Sequence, residues 1–319
     1  MKPLRIVHGL NRTTAIKKTW SLGEYYDRRN SIFIMRGAGG LGDILMHRMI
    51  FEDFKLLNPE IKIVFGCPPQ FIQTVEGHPF VDEVVDFNNV DQGKFIAHYD
   101  TTTICGRIEQ AAAPYSAPHR SDIWAEWCGV KLTRHNMHLT INPDELKASK
   151  EMVQGAKVCF SPMSAITSKN LGSDQISQIC RGMQDRGLSY YGTHIRDIPG
   201  FEGNVFTGKN TKQFMSLVGA ADYVISVDSA AFHIAGGLGI PMVGVFSWAD
   251  GKVYGKYYDK WKLVQKHRDE GWDCGPCYNW GECQKCHHKQ VRKPCITELT
   301  AEEILAALDE VMLKWPVVK

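Results

Sequence analysis

Residues 224–246 combine a buried strand, a polar tip and a small-residue helix in a pattern that suits phosphate binding. An apolar β-branched run ends at Asp228 and Ser229, and small residues follow before a second apolar strand. Small side chains at a helix start let a ligand approach backbone N–H groups, whose partial positive charge suits phosphate oxygens. The pattern therefore predicts a ligand site. An ordinary strand–helix–strand crossover with Asp228 as the N-cap is the structural alternative.

A glycine-rich turn at residues 36–43 follows an early apolar strand. Gly39, Gly40 and Gly42 let a substrate come close to the backbone, and Asp43 stands at the mouth of the predicted sheet, where the next helix starts. The turn matches neither the dinucleotide-binding fingerprint nor the P-loop, because the acidic partner and the Gly-Lys-Ser/Thr ending are absent. The structural alternative is that Asp43 only caps its helix.

A third loop, residues 161–169, is rich in hydroxyl groups and contains Ser164 and Lys169. It follows a predicted strand, and a hydroxyl-rich loop with one lysine at the carboxyl end of a parallel strand can cradle a diphosphate. His233 lies four residues after Ser229, about one helical turn into the next helix. Its structural alternative is a packed side chain.

Length and composition indicate a globular protein of two domains. The chain has 319 residues, 44% hydrophobic and 23% charged, with a net charge of +2. That charge does not indicate a general nucleic-acid surface. The N-terminus lacks the apolar core of a signal peptide, and no stretch reaches the ~20 apolar residues of a membrane span. We therefore expect a cytoplasmic protein whose cysteines are reduced.

Strands and helices alternate twice along the chain, which predicts an α/β fold of two Rossmann-like, doubly wound domains. We place the domains at residues 1–150 and 151–319, linked by a charged helix at 142–155. Residues 1–30 look like a polar extension, with a hairpin as one option. Other predicted elements include a continuous helix at 44–57, a strand at 99–105 and a closing helix at 301–315 after a Thr300 N-cap.

These motifs together resemble the lipopolysaccharide heptosyltransferases, glycosyltransferase family 9. The run from Gly39 to Leu45 is similar to the glycine-rich loop of that family, and the run from Val227 to Ala235 to its Asp-Ser/Thr-Gly-x-x-His-x-x-Ala signature. Ser164 and Lys169 match its hydroxyl-and-lysine loop. The resemblance extends over roughly residues 31–312. Ala230 stands where the family usually has glycine.

The resemblance implies a GT-B fold, in which two Rossmann-like domains face a central cleft. The N-terminal domain holds the acceptor, and the C-terminal domain holds a nucleotide-diphospho-sugar, an ADP-sugar by family default. The implied reaction is inverting, metal-ion-independent transfer of a heptose-like sugar to an acceptor hydroxyl, with Asp43 as the base. The implied donor and phosphate residues are Ser164, Lys169, Lys209, Asp228, Ser229, Ala230 and His233. Asp228 is expected to orient its turn, because its charge repels phosphate.

Several alternatives stay open. A GT-B scaffold also suits a non-catalytic nucleotide- or glycan-binding protein, or an epimerase. The acceptor is a glycan, a lipid-linked glycan or another hydroxyl, such as that of a protein or a modified nucleic-acid base. We expect no stable membrane insertion, with peripheral attachment at the inner membrane face as an option. Arg12, Arg36 and Arg107 are candidates for an anionic acceptor, although scattered arginines are commonly solvated.

The cysteines fall into two groups. Five of them, scattered among apolar residues, are predicted to be core: Cys67, Cys105, Cys128, Cys159 and Cys180. The other five crowd one segment with paired C-x2-C spacing: Cys274, Cys277, Cys283, Cys286 and Cys295. Four of the second group, either Cys274, Cys277, Cys286 and Cys295 or another four, would suit a structural zinc or iron site, and relatives that glycosylate autotransporter proteins carry a comparable iron finger. The alternatives are reduced, partly buried thiols or disulfides formed on purification. Catalysis itself is expected to need no cofactor.

Overall fold

The computed structural model describes residues 30–267, 271–272, 274–278 and 294–317. The predicted N-terminal hairpin therefore lies almost wholly outside the described residues. Two parallel sheets form the framework, one of four strands and one of six. The α/β fold class is confirmed, whereas the domain boundary between residues 150 and 151 stays a prediction.

The four-stranded sheet has the strand order β3-β2-β1-β4, and every pairing is parallel. Its strands are Ser31–Met35 (β1), Lys62–Cys67 (β2), Glu83–Asp86 (β3) and Ala97–Asp100 (β4). Because β1 lies between β2 and β4, the strand order reverses beside it. In open α/β sheets ligands bind at such a reversal, outside the carboxyl ends of the strands. The glycine-rich turn after β1 occupies that position.

The six-stranded sheet has the order β10-β9-β8-β5-β6-β7, again all parallel. Its strands are Val158–Ser161 (β5), Tyr190–Thr193 (β6), Val205–Phe206 (β7), Tyr223–Val227 (β8), Met242–Phe246 (β9) and Trp261–Gln265 (β10). The order reverses between β5 and β8. The loops after these two strands are the hydroxyl-rich loop and the Asp228 turn, so both lie where the topology favours a ligand.

Helices connect these strands. Their bounds are Leu41–His47, Phe51–Leu57, Ile104–Ala112, Arg120–Trp127, Pro143–Met152, Ser173–Asp185, Thr211–Gly219, Ala230–Leu238, Gly251–Tyr254, Pro294–Thr297 and Ala301–Lys314. Short 3-10 turns lie at Arg48–Ile50, Pro69–Thr74, Phe87–Asn89, Gln92–Lys94 and Thr167–Lys169. The closing helix begins after Thr300, whose hydroxyl accepts from the Glu303 N–H at 3.1 Å. The predicted Thr300 N-cap is confirmed.

Two element predictions need correction. The helix predicted at 44–57 is interrupted by the 3-10 turn at Arg48–Ile50. The strand predicted at 99–105 ends at Asp100, whose carboxylate accepts from the Thr102 N–H at 2.8 Å and turns the chain. Ile104 then starts a helix, so the β-branched threonine run misled the prediction.

One apolar core runs through both halves of the molecule. It includes Phe65 and Trp124 from the first half and Phe232 and Trp248 from the second. A second cluster packs the other face of the six-stranded sheet against the closing helix. The five cysteines predicted as core are all buried, which confirms that prediction. No helix in the described part of the chain is long and apolar enough to cross a bilayer.

Mild acid should destabilise this fold through four of its buried histidines. Burial lowers the pKa of His47, His78 and His119 to about 3 and that of His233 to about 4, from an ordinary value of 6.5. Below pH 6.5 the unfolded chain therefore takes up protons that the folded chain refuses, and stability falls as the pH falls toward 4. Each such histidine should remove about 2 kcal/mol between pH 7 and pH 5. Urea unfolding across this range measures the loss, and a constant midpoint would contradict it.

Candidate active site

A cavity of about 910 Å³ opens between the two sheets at the carboxyl ends of their central strands. All of the predicted loop, base and donor residues line it: Gly39, Gly40, Gly42, Asp43, Ser164, Lys169, Lys209, Asp228, Ser229, Ala230 and His233. The structure thus brings together in one place three motifs that are far apart in the sequence.

Asp43 is 9% exposed and lies in the helix that follows the glycine-rich turn. Its Oδ2 accepts from the Gly40 N–H at 3.0 Å and lies 3.5 Å from an Arg36 nitrogen. Its Oδ1 lies 2.5 Å from Arg120 Nη1. The carboxylate therefore supports the helix start, as the structural alternative held, and also borders the cavity. A side chain on Gly39, which has a φ of +115°, would meet this carboxylate.

Two arginines keep Asp43 ionised. Burial by itself would raise the pKa of this carboxyl group, but the charges of Arg120 and Arg36 outweigh burial and hold the pKa well below its ordinary value. The Gly40 N–H adds to the same effect. Asp43 consequently presents a negative charge to the cavity at every physiological pH.

On the opposite wall, Lys169 and Asp228 form a buried ion pair. Lys169 Nζ lies 2.7 Å from Asp228 Oδ2, and the two side chains are 12% and 5% exposed. The same ammonium lies 4.7 Å from the centre of the Trp248 ring, a cation–π distance. Asp228 and Trp248 thereby hold the lysine where its charge faces the cavity.

The helix Ala230–Leu238 begins at this wall with Ser229 as its N-cap. The Ser229 hydroxyl accepts from the Ala231 N–H at 3.3 Å. The alternative that placed Asp228 at the cap is therefore wrong, because the Asp228 carboxylate turns to Lys169 instead. Ser164 stabilises its own loop: its hydroxyl lies 3.0 Å from the Ile166 carbonyl oxygen. Lys209 is exposed at the rim.

His233 connects the two walls. It is 2% exposed, and its Nδ1 lies 2.8 Å from the Tyr258 hydroxyl. Burial lowers its pKa to about 4 despite the nearby carboxylates of Asp228 and Asp43, so the ring is neutral at pH 7. Its other edge faces Gly42, where an added Cβ would lie 2.8 Å from the ring. The packed interpretation of His233 is therefore realised, at a point where the two halves touch.

We expect Gly42→Ala to lower the free energy of unfolding by about 1–3 kcal/mol, because the new methyl group overpacks the His233 ring. The ring cannot easily yield, since Tyr258 holds it from the other side. Gly40→Ala is the matched control: a Cβ there meets nothing within 4 Å, and φ is −94°. It should change stability by less than about 0.5 kcal/mol. Urea unfolding compares the two, and equal losses would contradict the proposed clash.

Sequence reasoning missed the polar residues behind Asp43. Arg120 Nε lies 2.6 Å from Glu109 Oε1, and the Tyr254 hydroxyl donates to the same oxygen at 2.8 Å. These partners are separated by 11 and 145 positions, so no local spacing could reveal them. Of the arginines considered for the acceptor, Arg36 is buried beside Asp43 and Arg107 is exposed away from the cavity. Arg12 lies outside the described residues.

The cysteine-rich segment is only partly described. Cys295 is buried and Cys274 and Cys277 are half-buried, while Cys283 and Cys286 lie outside the described residues. Among the residues that are described, no group of three or more His, Cys, Asp or Glu side chains could hold a metal ion. The zinc or iron site therefore stays a prediction.

Comparison with known proteins agrees with this architecture. Residues 197–278 match the family model of glycosyltransferase family 9 (heptosyltransferase). The resemblance to glycosyltransferase family 9 is confirmed. The matching segment contains the Asp228 turn and the helix that Ser229 caps, and the match identifies a glycosyltransferase. No curated protein matches the sequence significantly.

Solved structures of low identity share the fold, which is GT-B. A glycosyl transferase family 9 protein from Veillonella parvula superposes with a TM-score of 0.67 at 13% identity, covering 90% of this chain and 98% of its own. E. coli ADP-heptose lps heptosyltransferase II gives 0.66 at 11%, covering 89% and 99%. The iron-containing dodecameric glycosyltransferase TibC from enterotoxigenic E. coli gives 0.68 at 14%, covering 89% and 76%.

Proposed function

We propose that this glycosyltransferase moves a heptose-like sugar, with inversion and without a catalytic metal ion, from a nucleotide-diphospho-sugar to an acceptor hydroxyl. The observation that supports this most is the shared cavity. It has an ionised carboxylate, Asp43, on one wall and a cation beside a helix start, Lys169 and Ser229, on the other. Inverting transfer needs these two functions on opposite sides of the anomeric carbon.

Asp43 would act as the base. As the acceptor oxygen bonds to the anomeric carbon, the bond from that carbon to the diphosphate breaks, and the hydroxyl proton passes to the Asp43 carboxylate. The arginines make Asp43 a weak base, since they lower its pKa. A weak base suffices late in the step, because an oxygen that has begun to bond to the anomeric carbon holds its proton far less tightly. Asp43 would also be unprotonated at every working pH.

The opposite wall would stabilise the leaving diphosphate. Negative charge accumulates on its oxygens as the glycosidic bond breaks, and fixed donors and cations lower the energy of that state. Lys169, Ser164, Ser229 and Ala230 line this part of the cavity, where the helix Ala230–Leu238 begins. To donate to a phosphate oxygen, the Ser164 hydroxyl would turn away from the Ile166 carbonyl oxygen. Lys209 would add a second positive charge from the rim. The sequence contains no Asp-x-Asp motif to bridge a metal ion to the phosphates.

Asp228 would serve the donor site indirectly. A carboxylate repels a diphosphate, yet Asp228 lies in the cavity wall only 2.7 Å from Lys169. We assign it the role of fixing the lysine, which otherwise has many side-chain conformations to lose on binding. This agrees with the expectation that Asp228 orients the turn and does not bind phosphate.

ADP-heptose is the donor that we propose first. The E. coli heptosyltransferase II that shares the fold is described as acting with ADP-heptose, and TibC has been solved in complex with an ADP-heptose. Neither name reports the acceptor of the present protein. We therefore propose only that the acceptor is a hydroxyl, of a glycan, a lipid-linked glycan or a protein.

A panel of nucleotide-diphospho-sugars that includes ADP-heptose tests the proposal. Release of nucleoside diphosphate shows turnover, and NMR of the first-formed product gives the anomeric configuration. We expect turnover without added divalent cation, and a product of inverted configuration. Binding without turnover of any donor would favour the non-catalytic alternative. Turnover with retained configuration would reject the role of Asp43.

A further inference from the structure

Behind Asp43 lies a buried chain of polar contacts that the proposed reaction does not yet use. Arg120 donates through Nε and Nη2 to both carboxylate oxygens of Glu109, at 2.6 and 2.8 Å. Its third nitrogen, Nη1, donates to Asp43 Oδ1 at 2.5 Å. The Tyr254 hydroxyl donates to Glu109 Oε1 at 2.8 Å. Glu109 is 1% exposed and Tyr254 4% exposed.

The planar guanidinium group of Arg120 constrains the geometry of these polar contacts. A carboxylate that accepts from two edges of a guanidinium fixes the plane of that group. Once Glu109 holds two nitrogens of Arg120, the third nitrogen can lie in only one place, and Asp43 Oδ1 follows it. The orientation of Asp43 is therefore set in part by a glutamate that does not touch it.

Glu109 also balances the charges around Asp43. Arg36 and Arg120 both lie beside Asp43, which supplies one negative charge against two positive charges. Glu109 supplies the other negative charge, at Arg120. Without it, Arg120 would be drawn more strongly to Asp43 and would occupy lone pairs that an acceptor proton needs.

Tyr254 extends this series of polar contacts from one half of the molecule to the other. It belongs to the helix Gly251–Tyr254, between the last two strands of the six-stranded sheet, whereas Glu109 and Arg120 belong to the half with the four-stranded sheet. Its ring also lies 5.3 Å from the Arg120 guanidinium carbon. Contact between the two halves at Tyr254 therefore affects the position of Arg120 and, through it, that of Asp43.

We propose that Glu109 and Tyr254 are positioning residues for Asp43 and act on it through Arg120. The inference rests on the proposed role of Asp43 as the base. The inference adds that a residue of the half proposed to hold the donor helps to orient the Asp43 carboxylate of the other half. Transfer is then efficient only when the two halves meet at Tyr254.

Two conservative variants test the inference. Tyr254→Phe removes one hydroxyl group, and Glu109→Gln removes one charge with little change of shape. With ADP-heptose as the donor and water as the acceptor, release of ADP gives kcat. We expect kcat to fall about tenfold for Tyr254→Phe and about a hundredfold for Glu109→Gln, with the affinity for ADP-heptose within about twofold of the wild type. A change in affinity without a change in kcat would contradict a positioning role.

Tyr257→Phe is the matched control. The Tyr257 hydroxyl also spans the two halves, donating to Asp122 at 2.6 and 2.7 Å, but Tyr257 does not line the cavity. Its loss should leave kcat within about twofold of the wild type. An equal fall in Tyr254→Phe and Tyr257→Phe would mean that any contact between the halves matters, and the specific role would be rejected.

A double-mutant cycle separates positioning from general damage. If Tyr254 acts through Arg120, then adding Tyr254→Phe to Arg120→Gln should cost no further activity. Independent, additive losses would contradict the chain of action.

Carboxyl ¹³C NMR of aspartate-labelled protein gives a readout that needs no donor. The Asp43 resonance, assigned by its loss in Asp43→Asn, should move in Tyr254→Phe and Glu109→Gln and stay in place in Tyr257→Phe. An unmoved resonance would overturn the inference even if ADP-heptose is not turned over. Wild-type turnover by Asp43→Asn would instead reject the proposed base. An inactive Asp43→Asn beside an unimpaired Tyr254→Phe would reject only the positioning role.

Discussion

Asp43→Asn should reduce turnover by about a thousandfold, the middle of the range for loss of a positioned base. The amide has nearly the same shape as the carboxylate, but it cannot take the acceptor proton. Asp43→Ala should be equally inactive. Affinity for the donor should survive in both variants, since Asp43 faces the donor wall from across the cavity. Turnover under donor saturation, together with calorimetric titration of ADP, measures the two effects separately.

Loss of a buried charge also weakens the fold, so this experiment needs a control. Removing one partner of a buried ion pair typically costs about 3–5 kcal/mol, and Arg36 and Arg120 both lose a partner in Asp43→Asn. Asp53→Asn removes another carboxylate of the same half, 4% exposed, which accepts from the backbone N–H groups of Thr133 and Arg134. It should lose stability and keep its turnover. Comparable turnover in the two variants would remove Asp43 from the mechanism.

Lys169→Met should weaken binding of ADP by about a hundredfold, since a charged hydrogen bond is lost and a negative charge is exposed. The exposed negative charge is that of Asp228. Without the Lys169 ammonium group 2.7 Å away, the Asp228 carboxylate would face the diphosphate without a neutralising partner. The affinity for ADP, measured by calorimetry at constant ionic strength, reports the loss. Lys212→Met is a control, because Lys212 is 43% exposed and does not line the cavity.

The double variant Lys169→Met/Asp228→Asn tests the electrostatic explanation. Neutralising Asp228 removes the repulsion that the single variant creates, so the double variant should bind ADP more tightly than Lys169→Met alone. If Asp228 instead contributes by binding the donor directly, the double variant will bind more weakly still. Unchanged affinity in Lys169→Met would contradict the assigned role of the lysine.

Much of this architecture follows from the local sequence. Val224, Ile225 and Val227 are apolar and β-branched, as suits a strand whose two faces are both buried, and composition predicts such a strand. The three chemically interesting loops follow strands directly, and parallel strands bring their carboxyl ends to one edge. Those two facts place each loop at the carboxyl edge of its own sheet. That the two edges face one cleft, lined by Asp43, Lys169 and Ser229, was implied only by the resemblance to glycosyltransferase family 9.

The features that the sequence did not reveal are mostly tertiary contacts between distant segments. Glu109 and Tyr254 belong to segments with no motif, and only the packing of one half against the other makes them neighbours of Arg120. The prediction of a strand through residue 105 was wrong. β-Propensity favours the threonines that follow residue 100, but the Asp100 carboxylate accepts from the Thr102 N–H and turns the chain there. The N-cap was misassigned between two adjacent residues, both good caps, and the ion pair with Lys169 decided between them.

The apolar core that passes without a break from one sheet to the other limits how such an enzyme can be rebuilt. Grafting the six-stranded half of a homologue onto the four-stranded half of this protein would replace residues such as Phe232 and Trp248 while keeping the surfaces that pack on them. Chimeras made by swapping whole modules should therefore be poor catalysts until that shared seam is redesigned, whereas exchanges confined to the cavity loops leave it intact.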